Sequence, residues 1–400
     1  MNWCGEGCDL LDDPYSGARV VQLTSAAAIS NNIYGESPVS SADGSRIIIG
    51  RCQDFCFDTK GSIFLIDLNK LHITKIDDMH GVRGVSTSSW SDCAYYWNLK
   101  NEMIRFNMMT FVKEVVFKAD SEKEVIPNLG GTVSSDQRYM LARKIRLKGS
   151  GSPTFQIVRY DFEKNSIELI FEHPEICNPH LQFNPITGNE ILIQNNRGVR
   201  MDANGDLDYR HSKEGTTLFQ IDKNGKNQQY FPAGPPHTAS LTGHECFIAD
   251  TGKVLFSTQW NNDDFSFIGD FQNTNLFIAS PGDSEPTPFH CPEHRFNHVG
   301  VSCCGTYFVA DSHGDKAFFE NGHLKPPSLV IGNLNTGKYK VLVEDSMSYG
   351  GGNQCTHTHP YITADNKHVI FNANPYLSTP QVFSAEIPEE FLKQLGSPIN

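Results

Sequence analysis

Along the 400 residues, apolar and polar positions alternate in short runs broken by turn residues, the pattern of half-buried strands rather than of helices. One phrase recurs: one or two small or polar residues, a turn with Asp, Asn or Gly, then an alternating run. It reads SADGSRIIIG from Ser41, SWSDCAYYWN from Ser89, SSDQRYMLAR from Ser134, NPITGNEILIQ from Asn184, ADTGKVLFST from Ala249, SCCGTYFVAD from Ser302 and TADNKHVIFN from Thr363. Asp, Asn and Gly tolerate the positive φ of a tight turn, and each following run is rich in β-branched and aromatic residues, so every copy predicts a hairpin.

Most copies lead into a second strand–turn–strand phrase, among them SIFLIDLNKLHITKI, FQIVRYDFEKNSIELIF and SLVIGNLNTGKYKVLV. Two hairpins make four strands, and four strands repeating every ~45–65 residues are the signature of propeller blades. No stretch carries a sustained helical period. The sequence therefore predicts an all-β protein, a seven-bladed β-propeller forming a single domain over residues 1–400. After its first hairpin the last repeat offers only QVFSAEI, so ARVVQLTS near the N-terminus is expected to pair with it and close the ring.

A formal charge of −13 argues against nucleic-acid or anionic-membrane partners, which need a basic face. No apolar run approaches bilayer length, and MNWCGEGCDLLDDP lacks the basic and apolar regions of a secretion signal, so a cytoplasmic protein is expected. Eleven cysteines are scattered without a disulfide framework. Cys4, Cys8, Cys52 and Cys56 are an alternative zinc set, although no CxxC pair is present.

Eleven of the fifteen histidines fall in the second half. Several stand a few residues before a repeated turn: His180 in HLQFNPITG, His244 in LTGHECFIADTG, His298 in FNHVGVSCCG, and His357 and His359 in THTHPYITADN. Equivalent positions in a propeller face the same mouth, so these residues should converge. If GGNQCTHTHP is extended, His357 and His359 point the same way by strand alternation, and Gln354 joins them if the chain bends at the preceding glycines. With His298 as a further ligand, imidazoles and an amide oxygen suit a borderline divalent cation such as Mn²⁺, Zn²⁺ or Fe²⁺ better than Mg²⁺. Lacking a carboxylate, such a site keeps its positive charge and suits an anionic substrate. The competing reading is a hydrogen-bonded polar turn at the channel entrance.

Three motifs carry a resemblance. YSGARVVQLTS runs from Tyr15 to Ser25, Gly243-His244-Glu245 stands on the fifth repeat, and Gln354, His357, His359 and Pro360 form a Gln-x-x-His-x-His-Pro motif. In these and in repeat order the chain resembles the oligogalacturonate lyase family, seven-bladed propellers that degrade pectin. The resemblance implies a manganese ion held by His298, Gln354, His357 and His359, with His244 as the base. A family arginine of the fifth blade would fall near TTLFQID, where this chain has Thr217 and Phe219. Arg197, Arg200 and Arg210 in the preceding loop are the substitutes, Arg200 and Arg210 as catalytic groups and Arg197 with His180 and His211 as substrate-binding ones. His180 and His211 are next in line for the base.

The implied reaction is metal-assisted β-elimination on short acidic oligosaccharides such as oligogalacturonides. A cation neutralises the uronate carboxylate, a neutral histidine removes the C5 proton, and the C4 oxygen leaves with its sugar, giving a 4,5-unsaturated uronide. A gap one sugar ring wide is expected between His244 and the ion, and Glu245 is expected to tie its loop. The alternatives are a non-catalytic carbohydrate- or protein-binding propeller, and a hydrolase built on Asp311, His313 and Asp315 of DSHGD.

Overall fold

Three copies of the repeated turn are closed by the same side-chain hydrogen bonds, which explains why the phrase recurs among them. In the first, Ser41 Oγ donates to Asp43 Oδ1 at 2.6 Å and accepts from Arg46 N at 3.0 Å, while Gly44 takes φ +73°. Ser134 with Asp136 and Thr363 with Asp365 repeat the hydroxyl–carboxylate pair, and Gln137 and Asn366 the left-handed residue. The hydroxyl thus replaces part of the strand ladder where the chain reverses.

A computed structural model describes residues 1–54, 60–81, 84–119, 132–146, 154–201, 207–209, 214–259, 274–312, 319–320, 323–350 and 354–396. Their strands form a seven-bladed propeller. Blade 1 holds Ile29–Asn31, Arg46–Cys52, Gly61–Asp67 and His72–Met79, with Cys4–Gly5 on its outer edge. Blade 2 holds Ser86–Thr87, Cys93–Trp97, Glu102–Asn107 and Lys113–Lys118. Blade 3 is built on Tyr139–Arg146, Thr154–Asp161 and Ser166–His173, with Val133 bridged to Met140 on the inner side.

Blade 4 holds Gln182–Phe183, Glu190–Asn196, Thr216–Asp222 and Gln229–Tyr230, and blade 5 Leu241–Phe247, Val254–Thr258, Leu276–Ala279 and Thr287–Pro288. TTLFQID therefore belongs to the fourth blade and not the fifth. Blade 6 holds Phe296–Val301, Tyr307–Ser312, Ser328–Asn333 and Tyr339–Val343.

Blade 7 joins the chain ends. Tyr361–Ile362, His368–Ala373 and Gln381–Glu386 are completed by Val20–Gln22 and Cys8–Asp9, with Val20 opposite Ala385 and Gln22 opposite Phe383, as the N-terminal run predicts. A short helix, Glu389–Gln394, follows.

The apolar face of each blade is buried against both neighbours. Separate clusters join blades 1 and 2 around Tyr96 and Phe106, 2 and 3 around Trp97 and Tyr160, and 3 and 4 around Phe155 and Phe219. Others join 4 and 5 around Phe256, 5 and 6 around Phe308, 6 and 7 around Phe371, and 7 and 1 around Ile49 and Tyr361. At ~1.5–3 kcal/mol for each large side chain removed from water, no blade is stable without its neighbours, and the circle of contacts is complete. Innermost strands face the axis: a cavity of about 20 Å³ is lined by Glu36, Trp90, Thr132, Gln182, Cys246 and Val301, one residue from each of blades 1 to 6. Among the described residues no helix is long and apolar enough to cross a membrane.

Candidate active site and metal centre

The expected strand through His357 and His359 is replaced by a turn. Gln354–Thr356 is a short 3₁₀ segment, the next strand starts at Tyr361, and His359 adopts φ +40°. Strand alternation therefore does not bring the two imidazoles together. The turn does: their centroids lie 5.6 Å apart, and the His298 ring stands 5.2 Å from His357 and 4.5 Å from His359.

One ring nitrogen from each of His298, His357 and His359 lies within 4.8 Å of the others. Gln354 is half-buried at the start of the same turn, and its carbonyl accepts the His357 N–H at 3.2 Å.

This turn is held from several sides. Asn32 donates to the His359 carbonyl at 2.8 Å, and Asn372 to that of His357 at 3.1 Å. A Cβ on Gly35 or on Gly300 would stand 2.8 Å from the Pro360 carbonyl oxygen, so both glycines are needed for the close approach of three blades.

His298 and His244 owe their direction to irregularities in the innermost strands. The ladder of blade 6 slips between Phe296 and Val299, and that of blade 5 between Leu241 and Glu245, where Gly243 takes φ +99°. Such bulges re-aim a side chain that regular alternation would send elsewhere.

Buried His298 donates Nδ1–H to Asp311 Oδ2 at 2.6 Å, which leaves Nε2 as the lone-pair nitrogen; no hydrogen bond reaches it among the described residues. Three nitrogen donors, one of them a buried lone pair with no hydrogen-bond partner and a carboxylate behind its ring, fit a borderline divalent cation.

A second cluster adjoins the first. Glu36 lies between two histidines, with Oε2 3.0 Å from His180 Nδ1 and Oε1 3.0 Å from His244 Nδ1. Burial opposes ionisation of Glu36, but the two imidazoles more than compensate and hold it below the usual carboxylate range. Burial and the neighbouring His298 push His244 down to about 4 against the opposing pull of Glu36, so its imidazole is neutral near pH 7.

The Tyr34 hydroxyl is 3.3 Å from His244 Nδ1, and its ring lies 4.5 Å from His359. The His244 and His298 rings are 4.1 Å apart, so no sugar ring fits between these two imidazoles.

Glu245 does not tie its loop through its carboxyl. Gln182 Nε2 bonds to the Glu245 backbone carbonyl at 2.6 Å, while both carboxyl oxygens are buried with no hydrogen-bond partner among the described residues. Arg197 binds backbone carbonyls, those of Glu214, of Gly215 at 3.2 Å and of Pro235 at 2.8 Å. Arg200 lies in a two-stranded ribbon opposite Tyr209, while Arg210 and His211 fall outside the described residues, as do His313 and Asp315. Asp311, assigned to the hydrolase alternative, instead supports His298.

Sequence reasoning missed Tyr34 and Glu36. Yet Glu36 stands five residues before Ser41, as His244 stands five before Ala249, so the repeat register held the signal once residues other than histidine were followed.

Fold and site together define a seven-bladed propeller with a histidine cluster, built for a divalent cation, where its last blades meet. No protein-family model matches the chain. Among curated proteins it is similar to the oligogalacturonide lyase of Pectobacterium atrosepticum, 23% identical, with 94% of this chain and 95% of that protein covered. It is also similar to the oligogalacturonate lyase of Dickeya dadantii, 20% identical over the same shares of 94% and 95%.

Among solved structures, an oligogalacturonate lyase from Vibrio parahaemolyticus superposes with a TM-score of 0.70 at 16% identity, covering 98% of this chain and 99% of that one. An oligogalacturonate lyase in complex with manganese gives 0.70 at 18%, covering 97% and 100%. The resemblance read from three motifs thus extends along nearly the whole chain.

Proposed function

We propose that this chain is a lyase that cleaves short oligogalacturonides by β-elimination, using manganese and His244. The observation that carries this reading is the contact between two differently equipped imidazoles: His298, backed by Asp311 among the metal-ligand candidates, and His244, neutral and backed by Glu36, 4.1 Å away. His298, His357, His359 and Gln354 are the residues that hold the cation. When bound there, a divalent cation supplies the positive charge that neutralises a uronate carboxylate and makes the C5 proton acidic.

His244 accepts that proton at Nε2, the nitrogen turned away from Glu36. The C5–H electron pair becomes the C4–C5 double bond, the C4–O4 bond breaks, and O4 leaves with the neighbouring sugar. It takes up one proton as a hydroxyl, balancing the one that His244 has accepted and then gives back to solvent. No water is added across the bond. Buried His298 and His359 keep bulk solvent from one side of the base.

Arg200 and Arg210 are proposed as catalytic groups for the substrate's carboxylates, and His211 as a substrate-binding one. His180, held by Glu36, is proposed to line the sugar site. Arg197, which clamps loop carbonyls, is proposed as a further substrate-binding residue. The substrate is a small acidic oligosaccharide, and the chain acts in the cytoplasm.

The test is incubation of purified protein with manganese and trigalacturonate. The expected product carries the ultraviolet absorbance of a 4,5-unsaturated uronide. Cleavage to saturated ends would make the protein a hydrolase, and binding without cleavage would make it a lectin-like propeller.

A further inference from the structure

We propose that Glu36 is the positioning residue of the base, holding His244 as the Nδ1–H tautomer so that Nε2 carries the lone pair. The inference rests on the reading of His244 as base and adds a residue from the opposite end of the chain. The Glu36 side chain is only 5% exposed, and it faces His180 and His244 symmetrically, at 3.0 Å each. An ionised carboxylate has no hydrogen to give, so the nitrogen facing each oxygen must be a donor. In a neutral imidazole the other nitrogen is then the acceptor.

Tyr34 is the competitor, because its hydroxyl reaches the same His244 nitrogen and, as a donor, would fix the opposite tautomer. It stands 3.3 Å away and is neutral, whereas Glu36 is at 3.0 Å and ionised. Charge-assisted hydrogen bonds are about twice as strong as neutral ones, so the carboxylate decides the tautomer. The backbone fixes the arrangement too: Gly35, between the two residues, is pressed against the Pro360 carbonyl, where any Cβ would stand 2.8 Å from the oxygen. The base of blade 5 is thereby oriented from blade 1, through the loop that also touches the candidate metal ligands of blade 7.

The experiment reads imidazole tautomers in metal-free protein by long-range ¹H–¹⁵N spectra, beside turnover and metal content. In the unaltered protein His244 and His180 are expected as Nδ1–H. Glu36→Leu should release His244 from that tautomer and lower kcat about 10²–10⁴-fold, the scale of a misoriented catalytic histidine, with bound manganese unchanged. Glu36→Asp should keep the tautomer and recover most of the rate.

His244 found as Nε2–H in the unaltered protein overturns the proposal. So does a Glu36→Leu enzyme within about threefold of normal kcat while His244→Ala is impaired. Should Glu36→Leu fail to fold, the unaltered spectrum and Glu36→Asp still decide. If His244→Ala turns over normally, the base assignment falls, whereas the tautomer spectrum, read without turnover, continues to test Glu36.

Discussion

Asp311 grips His298 at two points, accepting its main-chain N–H on Oδ1 at 2.7 Å and its Nδ1–H on Oδ2 at 2.6 Å. Thr358 Oγ1, between His357 and His359, donates to the same Oδ2 at 2.5 Å. One buried carboxylate thus orients a ring in blade 6 and anchors the turn that leads into blade 7. Carboxylates behind metal-binding histidines are typically worth 10–100-fold in affinity. Asp311→Asn should therefore weaken manganese binding by about that factor, read by calorimetric titration, and excess metal should restore turnover. Unchanged affinity would confine Asp311 to folding.

His357→Ala removes a nitrogen donor from a group whose members lie within 4.8 Å of one another. The expected outcome is protein that folds normally and purifies with little or no manganese by elemental analysis. Equal metal in both proteins, or none in either, would mean that the three imidazoles do not form the site.

His244→Ala should separate chemistry from metal binding. A positioned general base contributes about 10²–10⁴-fold, so kcat on trigalacturonate should fall within that range with manganese still bound. If kcat is unchanged, His180, which shares Glu36 with His244, is the next residue to alter.

Most of the fold was legible because it is written seven times. Three of the turn phrases carry their own hydroxyl, carboxylate and left-handed residue, so Ser41, Ser134 and Thr363 mark their blades without long-range information. The site was legible only where one residue type clustered. His180, His244, His298, His357 and His359 stood out as histidines, while Glu36 holds an equivalent place in blade 1 and Tyr34 stands two residues before it, both as ordinary residues.

Directions were harder to read than positions. The turn at Gln354–Thr356 and the bulges at His244 and His298 break the period of two on which orientation was argued, and such breaks depend on contacts between blades. The 4.1 Å approach of His244 to His298 is likewise a product of ring closure, which no local pattern records.

Glu245 provides a test that is independent of turnover. Its carboxyl is fully buried, both oxygens lack hydrogen-bond partners among the described residues, and the ionisable groups that act on it are His180, which favours its charge, and Glu36, which opposes it. Burial dominates and pushes it from 4.5 up to about 8. In the folded protein the carboxyl therefore keeps its proton to about pH 8, whereas in the unfolded chain it ionises above about 4.5. Between those limits unfolding releases a proton, so stability falls as pH rises, by at most about 1.4 kcal/mol per unit from this group. Glu245→Gln keeps the shape and cannot ionise. Urea unfolding at pH 5, 6.5 and 8 should show the variant gaining on the parent as pH rises, by roughly 1–3.5 kcal/mol over the interval after allowance for local relaxation. Parallel stability curves for the two proteins would show that Glu245 is already ionised in the fold and paired with His180.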